Sequence, residues 1–233
     1  MAWTEQTLLR VKICGLTSVN DAVACARLGA DWIGLNFHPS SPRYVAPEDA
    51  ALIAAALPES VKAVGVFVDR PAAEVASLAV RVGITVVQLH GDEPPEDLLE
   101  LRSFQVIRAF RLDRASGWSG VESYLSRASA LGRLPDAVLI DAHVPGQEGG
   151  TGVVVADDVL AAIPPLPRLI LAGGLTPENV RERAGRAQPW MVDVASGVEG
   201  SPGRKDLARV EAFIRAARAV VLADPRGSVE PKA

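Results

Sequence analysis

Cysteine is scarce in this 233-residue chain. The two cysteines, Cys14 and Cys25, are too few for a disulfide framework. The first eight residues, MAWTEQTL, are too polar for an export signal. We therefore expect reduced thiols and a cytoplasmic protein.

The chain also lacks an excess of positive charge and a long apolar run. It has 24 basic and 28 acidic side chains, so its formal net charge is −4 at pH 7. Bulk charge therefore does not attract nucleic acid or an anionic membrane. Charged residues, glycine or proline interrupt every apolar stretch before it reaches the roughly 18 residues that span a bilayer. We expect no nucleic-acid partner and no membrane partner.

Apolar residues are plentiful, since 48% of the chain is hydrophobic and 22% is charged. A chain of this length and composition buries one large core readily. We predict a single domain over residues 8–222, although two small domains also fit the length. Residues 1–7 are a short lead. Residues 224–233 are rich in proline, glycine and charge, and we expect them to form a mobile tail.

Short β-branched apolar runs alternate with Ala- and Leu-rich stretches along the chain. The runs predict strands, and the stretches, with charges at helical spacing, predict helices. The predicted strands cover residues 8–14, 31–37, 61–68, 85–90, 105–110, 137–142, 168–173 and 191–196. The predicted helices cover residues 19–28, 47–57, 72–82, 95–103, 119–131, 155–163, 177–187 and 205–222.

This alternation predicts a closed parallel (β/α)8 barrel, the TIM barrel, because crossover helices join parallel strands. An open doubly wound sheet is the alternative, but it usually has fewer strands, and the first turn, CGLTSVN, lacks the G-x-G-x-x-G fingerprint. Ser18, and Thr176 followed by Pro177, are typical of helix starts. Gly29 and Gly83 are typical of helix ends.

The carboxyl ends of the strands form the working face of such a barrel, so residues there are the first candidates for chemistry. They are Cys14, His38, Arg43, Asp69, His90, Arg111, Asp141, Gly173, Gly174, Ser196 and Gly197. The last four follow strands seven and eight, the usual phosphate site, where glycine lets backbone N–H groups approach an anion. They predict a phosphorylated small-molecule substrate, although tight turns alone would also explain them.

Cys14 ends the first predicted strand and shares a face with Lys12. A catalytic role requires some thiolate, which nearby positive charge favours; a plain core residue is the alternative. Lys12 is expected to pair with Asp193 on the last strand, because an unpaired charge inside a barrel is costly. Cys25, within the helical pattern DAVACARLG, is expected to be a core residue.

Two further strand-end residues have the chemistry of a site. Asp141 follows three apolar residues, and partial burial there would suit a proton donor; a loop-ordering role is the alternative. The next loop, HVPGQEGGTG (143–152), is long enough to cover a ligand. Arg43 lies in the proline-stiffened segment FHPSSPRYV, where it could bind a carboxylate or phosphate, or simply be solvated.

Seven segments, in order between about residues 11 and 206, together resemble the phosphoribosylanthranilate isomerase family. They are VKICGLT with Asp21-Ala22 downstream, GLNFHPSSPRYV, VGVFVD, VQLHGDE, LIDA followed by GGTG, LAGGLTPENV and VDVASGVEGSPGRKD. Their order and spacing make the match specific. The chain departs from many relatives after GGTG, where it reads VVVADDV instead of Lys and an FDW-like segment.

The resemblance implies an aldose-ketose isomerase at the third step of tryptophan biosynthesis from chorismate. Its Amadori rearrangement converts N-(5-phosphoribosyl)anthranilate to 1-(2-carboxyphenylamino)-1-deoxyribulose 5-phosphate. The residues that the resemblance implies are Asp141 as general acid, Cys14 as general base, Arg43 for the anthranilate carboxylate, and Gly173, Gly174, Ser196 and Gly197 for the phosphate. No metal and no organic cofactor is expected. We expect a monomer or a homodimer.

Other enzymes of this fold fit the sequence less well. A metal-assisted sugar-phosphate epimerase would need His38, His90 and Asp141 to converge as ligands. A Schiff-base aldolase needs a barrel lysine. Of the four lysines only Lys12 lies near a strand end, whereas Lys205 is expected outside the barrel.

Two more alternatives conflict with particular residues. The related isomerase of histidine biosynthesis resembles a two-aspartate enzyme, and Cys14 argues against it. A phosphate-binding protein without catalysis would have no need of Cys14, Asp141 and Arg43 together.

Overall fold

The computed structural model describes residues 8–112, 118–141, 166 and 168–222. Eight parallel strands in these ranges close into a barrel, in which each strand pairs with the next and β8 pairs with β1. The predicted barrel is confirmed. The strands are β1 Arg10–Cys14, β2 Trp32–Asn36, β3 Lys62–Phe67, β4 Val86–Leu89, β5 Gln105–Arg111, β6 Ala137–Asp141, β7 Leu169–Ala172 and β8 Met191–Val194.

Helices surround the strands. They are α1 Val19–Arg27, α2 Pro47–Ala56, α3 Ala72–Val82, α4 Asp97–Glu100, α5 Ser119–Ala130, α6 Val180–Ala187 and α7 Leu207–Arg218. An antiparallel hairpin of β9 Glu199–Ser201 and β10 Arg204–Lys205 follows β8. Within the described ranges, no helix is long and apolar enough to cross a membrane.

Several predicted segments lie outside the described residues. They are the lead 1–7, the helix 155–163, the loop 143–152 with the atypical VVVADDV after it, and the tail 224–233. The crossover between β6 and β7 therefore stays a prediction.

The helix ends follow local chemistry, with one correction. Ser18 caps α1, since its hydroxyl accepts a hydrogen bond from the Asp21 backbone N–H at 3.2 Å. Gly83 ends α3 in the left-handed region, at φ 78°. Thr176 caps its turn as predicted, since its hydroxyl accepts a hydrogen bond from the Glu178 backbone N–H at 3.3 Å and its carbonyl accepts one from Val180 N–H. A turn over 177–179 follows, so α6 begins at Val180, three residues later than the predicted start.

Two other predicted helices are longer than the observed ones. The helix predicted over 95–103 is a single turn, Asp97–Glu100. The helix predicted over 205–222 begins at Leu207, because the Asp206 carboxylate accepts hydrogen bonds from the N–H groups of Ala208 and Arg209 and so caps it. Lys205 belongs to the hairpin instead.

Alternate side chains along each strand point into the barrel, as the two-residue period of a strand requires. The inward apolar cluster is Trp32, Val64, Val86, Ile107, Ala109, Ala137, Leu139, Ile170, Ala172 and Met191. Outward side chains pack under the helices in a larger cluster, which includes Cys25 as predicted.

One ion pair lies inside this apolar interior. Lys12 Nζ is 2.8 Å from Asp193 Oδ2, and the two residues are register partners across β1 and β8. The predicted pair is confirmed. Burial lowers the pKa of Lys12, but Asp193 and Cys14 outweigh burial and leave that pKa raised. The stabilisation from the pair is therefore complete below pH 10.5, the ordinary value, and is lost as pH rises through the raised pKa.

We expect Lys12→Met to lower the free energy of unfolding by about 3–5 kcal/mol, because Asp193 would stay buried without its partner. The double variant Lys12→Met/Asp193→Leu should recover most of the loss. Urea denaturation measures both values. Arg186→Met, which removes an exposed i,i+4 pair with Glu182, is the matched control and should cost less than about 1 kcal/mol. An equally small loss for Lys12→Met would contradict the structural role.

Candidate active site

The carboxyl ends of the strands bring the predicted chemical residues to one face. Cys14 ends β1, and Asp141 ends β6. His90 directly follows β4, while Arg43 lies in the loop after β2. Parallel strands in a barrel place their carboxyl ends together, so these residues share a face as the sequence predicts.

The Cys14 thiol lies in a tight, partly exposed site above the Lys12–Asp193 pair. A Cβ atom built at Gly34, its register partner on β2, would lie 2.6 Å from Cys14 Sγ. Only glycine leaves space for the sulfur there. Burial raises the pKa of the Cys14 thiol, although the positive charges of Lys12 and Lys205 oppose the rise. The thiol is therefore the main form at neutral pH in the ligand-free protein.

Asp141 is partly buried, with 22% of its side chain exposed, and His90 approaches it. His90 Nε2 lies 3.5 Å from Asp141 Oδ2, and Gln88 Nε2 lies 2.8 Å from His90 Nδ1. Both ring nitrogens of His90 therefore have a polar neighbour, and Nε2 faces Asp141. His90 can therefore orient the carboxyl group of Asp141.

A buried carboxylate ties the ends of β3 and β4 together. Glu93 accepts hydrogen bonds from the backbone N–H groups of Gly91 and Asp69, at 2.9 Å each at the shortest. Asp69 has φ 48°, an unusual conformation for a residue with a side chain, and its carboxylate accepts from Asp92 N–H at 2.6 Å. This network fixes the turn that carries His90. In the sequence, only the acidic pair in QLHGDE marks this network, and such a pair is typical of a solvated loop.

A polar cleft of about 210 Å³ opens beside His90. Its lining includes Asp69, Asp92, Arg108 and Arg111. Arg111 ends β5 as the register partner of Asp141, so this cleft adjoins the carboxylate.

The loop that carries Arg43 is built around Asn36. The side-chain Oδ1 of Asn36 accepts a hydrogen bond from His38 N–H at 2.9 Å, and its side-chain Nδ2 donates to Ser41 Oγ at 3.1 Å. Ser41 Oγ also accepts from Arg43 N–H at 3.1 Å. These bonds, together with the prolines, hold the loop in one shape.

Arg43 meets two residues that sequence reasoning missed. Its Nε and Nη2 donate to the two carboxylate oxygens of Glu199, at 2.8 and 2.7 Å. Lys205 Nζ donates to the same carboxylate at 2.9 Å and to the Ala195 carbonyl at 3.0 Å. The expectation that Lys205 lies outside the barrel was therefore incomplete. Its backbone is in the hairpin, but its wholly buried ammonium reaches back to the end of β8.

The two predicted phosphate loops touch each other. Gly173 and Gly174 have φ 86° and 63°, in the left-handed region that favours glycine. A Cβ atom at Gly197 would lie 1.9 Å from the Leu175 carbonyl oxygen, so the loop after β8 requires glycine where it crosses the loop after β7. Ser196 and Gly197 lie in a short 3-10 turn. Glycine at such positions lets backbone N–H groups approach an anion closely.

The residues of the metal-dependent alternative do not form a metal site in the described part of the chain. His90 and Asp141 meet, whereas His38 belongs to the Arg43 loop. Within residues 8–112, 118–141, 166 and 168–222, no group of three or more His, Cys, Asp or Glu residues could hold a metal ion.

Comparison with known proteins points to one family. The profile of the N-(5'-phosphoribosyl)anthranilate (PRA) isomerase family matches residues 11–216. The N-(5'-phosphoribosyl)anthranilate isomerase of Geobacter sulfurreducens is 48% identical over 213 residues, which are 91% of this chain and 99% of the relative.

Solved structures agree. Phosphoribosyl anthranilate isomerase from Thermotoga maritima matches with a TM-score of 0.81 and 36% identity, over 91% of this chain and 100% of that chain. A second solved structure matches with a TM-score of 0.74 and 34% identity, over 91% and 100%. It is phosphoribosyl anthranilate isomerase in complex with reduced 1-(o-carboxyphenylamino)-1-deoxyribulose 5-phosphate.

The raised pKa of Cys14 predicts how its alkylation depends on pH. The rate with iodoacetamide should keep rising, about tenfold per pH unit, up to and beyond pH 9.0, the ordinary thiol value. Peptide mass mapping separates Cys14 from the internal control Cys25, whose pKa burial raises to about 12. A Cys14 rate that levels off below pH 8 would show that the lysines outweigh burial.

Proposed function

Because this chain belongs to the N-(5'-phosphoribosyl)anthranilate isomerase family, we propose that it converts N-(5'-phosphoribosyl)anthranilate to 1-(2-carboxyphenylamino)-1-deoxyribulose 5-phosphate in tryptophan biosynthesis. The observation that carries the proposal is the placement of Cys14 and Asp141. Each is the last residue of its strand, and both lie on the same face of one barrel. This is what an Amadori rearrangement requires, namely one base and one acid around one sugar.

Asp141 is proposed as the general acid. Its carboxyl group would donate a proton to the ring oxygen of the ribose while the bond between C1 and that oxygen breaks. The nitrogen lone pair then forms the C1=N bond of an iminium ion. His90, 3.5 Å away, would orient the carboxyl group during this transfer.

Cys14 is proposed as the general base. Its thiolate would remove the proton from C2. The electron pair of that C–H bond would become the C1=C2 bond while the π pair of C1=N returns to nitrogen, which gives an enolamine that tautomerises to the ketone. The iminium ion makes this proton acidic. A thiol with a raised pKa gives a small fraction of thiolate, but that thiolate is the stronger base. Lys12 and Lys205 offset part of the effect of burial on this group.

The two ends of the substrate have separate proposed sites. The loops with Gly173, Gly174, Ser196 and Gly197 would bind the phosphate through backbone N–H groups. Arg43 would bind the anthranilate carboxylate. No organic cofactor takes part in these steps.

The deciding experiment is a fluorescence assay with the substrate generated in place. We expect wild type to consume the fluorescent substrate, with or without a chelator, and Cys14→Ala to lose the activity. Cys25→Ala is the matched control, since this cysteine is buried in the outer core. A well-folded wild type without turnover would overturn the proposal.

Asp141→Asn should lower kcat by at least about 100-fold, because general acid catalysis typically contributes 10²–10⁴-fold. The affinity for reduced 1-(o-carboxyphenylamino)-1-deoxyribulose 5-phosphate should change little, since the proton transfer contributes only in the transition state. Steady-state kinetics and calorimetry measure the two effects. Asp136→Asn, at the opposite end of the β6 region, controls for loss of a carboxylate near this strand. Near-normal turnover would remove Asp141 from the mechanism.

Arg43→Ala should act mainly on KM. Loss of a hydrogen bond to a charged group costs about 1.5–3 kcal/mol, so KM should rise by roughly 10- to 100-fold with a smaller change in kcat. Steady-state kinetics test this prediction, with Arg81→Ala in α3 as the control. An unchanged KM would mean that Arg43 does not bind substrate.

A further inference from the structure

Glu199, the first residue of β9, is a buried carboxylate that two cations surround. It accepts two from Arg43 and one from Lys205, all between 2.7 and 2.9 Å. Only 4% of its side chain is exposed, against 24% for Arg43 and none for Lys205. Arg43 is therefore the solvent-facing member of this trio, and Glu199 lies behind it.

The pairing uses one particular edge of the guanidinium. Nε and Nη2 of Arg43 face Glu199, as in a side-on bidentate pair. A guanidinium has five N–H donors, so three stay for other acceptors, two on Nη1 and one on Nη2. In the part of the chain that the structure describes, Nη1 has no hydrogen-bond partner. The Nη1–Nη2 edge can therefore take a second carboxylate.

The stem of Arg43 is fixed as well. A Cβ atom at Gly15 would lie 2.5 Å from Arg43 Cδ, so the arginine lies across the residue that directly follows Cys14. The hairpin that supplies Glu199 is anchored nearby, since Thr17 Oγ1 donates to the Gly203 carbonyl at 2.9 Å. The Arg43 side chain is thus fixed beside β1 both at its stem and at its guanidinium group.

We propose that Glu199 is a positioning residue that orients Arg43 so that the Nη1–Nη2 edge binds the anthranilate carboxylate. This inference rests on the proposed function. It makes Glu199 a determinant of specificity for substrates with a carboxylate on the aromatic ring, although Glu199 itself does not touch the substrate.

The charge of the trio separates a positioning role from a simple electrostatic one. Two cations and one carboxylate leave a net charge of +1, which suits an anionic group. Glu199→Gln removes the negative charge, so electrostatics alone would strengthen the binding of an anion at this site. A positioning role predicts the opposite, namely weaker binding of a carboxylate, because Arg43 would lose the two hydrogen bonds that orient it.

The test compares two stable ligands by calorimetry. One is reduced 1-(o-carboxyphenylamino)-1-deoxyribulose 5-phosphate, and the other is the same molecule without the ring carboxylate. Wild type should prefer the carboxylate ligand by about 10- to 100-fold, as expected for hydrogen bonds to a charged group. In Glu199→Gln this preference should fall by about tenfold or more, while the affinity for the ligand without the carboxylate stays within about twofold. Glu182→Gln, an exposed glutamate in α6, is the matched control and should keep the full preference.

Each other outcome overturns the inference. Equal weakening of both ligands by Glu199→Gln would assign Glu199 a merely structural role. An unchanged preference would show that Arg43 needs no positioning. A wild type that isomerises the substrate but does not distinguish the ligands would refute the carboxylate site alone. A wild type that neither binds nor isomerises would refute the proposed function and this inference with it.

Discussion

The Lys12–Asp193 ion pair joins β1 to β8, where the first strand of the barrel meets the last. It lies in an apolar interior, so each charge depends on the other. Cys14 follows Lys12 by two residues, and Ala195, whose carbonyl binds Lys205, follows Asp193 by two. The pair therefore lies below both the Cys14 thiol and the Lys205 ammonium in the barrel. The positions of the residues at the carboxyl ends of β1 and β8 therefore depend on how these two strands close the barrel.

Glycines shape the face at the carboxyl ends of the strands as much as the charged side chains do. Gly34 leaves space for the Cys14 sulfur, Gly15 for the Arg43 stem, and Gly197 for the Leu175 carbonyl. Each glycine lies where two adjacent strand ends or loops cross. Close approach of this kind brings groups from distant parts of the sequence within reach of one small substrate. The proposed base and the two proposed anion sites depend on such crossings.

The sequence predicted the barrel, the inward ion pair and the shared face of Cys14 and Asp141, because these follow from two-residue periodicity and from the ends of parallel strands. It did not predict the partners of Arg43. Glu199 belongs to a short segment with neither strand nor helix periodicity, and Lys205 lies at the start of the last predicted helix. Only the folded hairpin brings both to the loop after β2.

The hairpin of β9 and β10 is an appendage of the barrel and not part of its wall. A two-stranded hairpin is barely stable by itself, so it depends on contacts such as that between Thr17 and Gly203. The strands that hold the reacting groups do not depend on it in the same way. With Glu199 in its proposed role, mutations in the hairpin would change substrate recognition while the strands of the barrel keep their fold. Lys205 couples this appendage to catalysis as well, since its charge also acts on the Cys14 thiol.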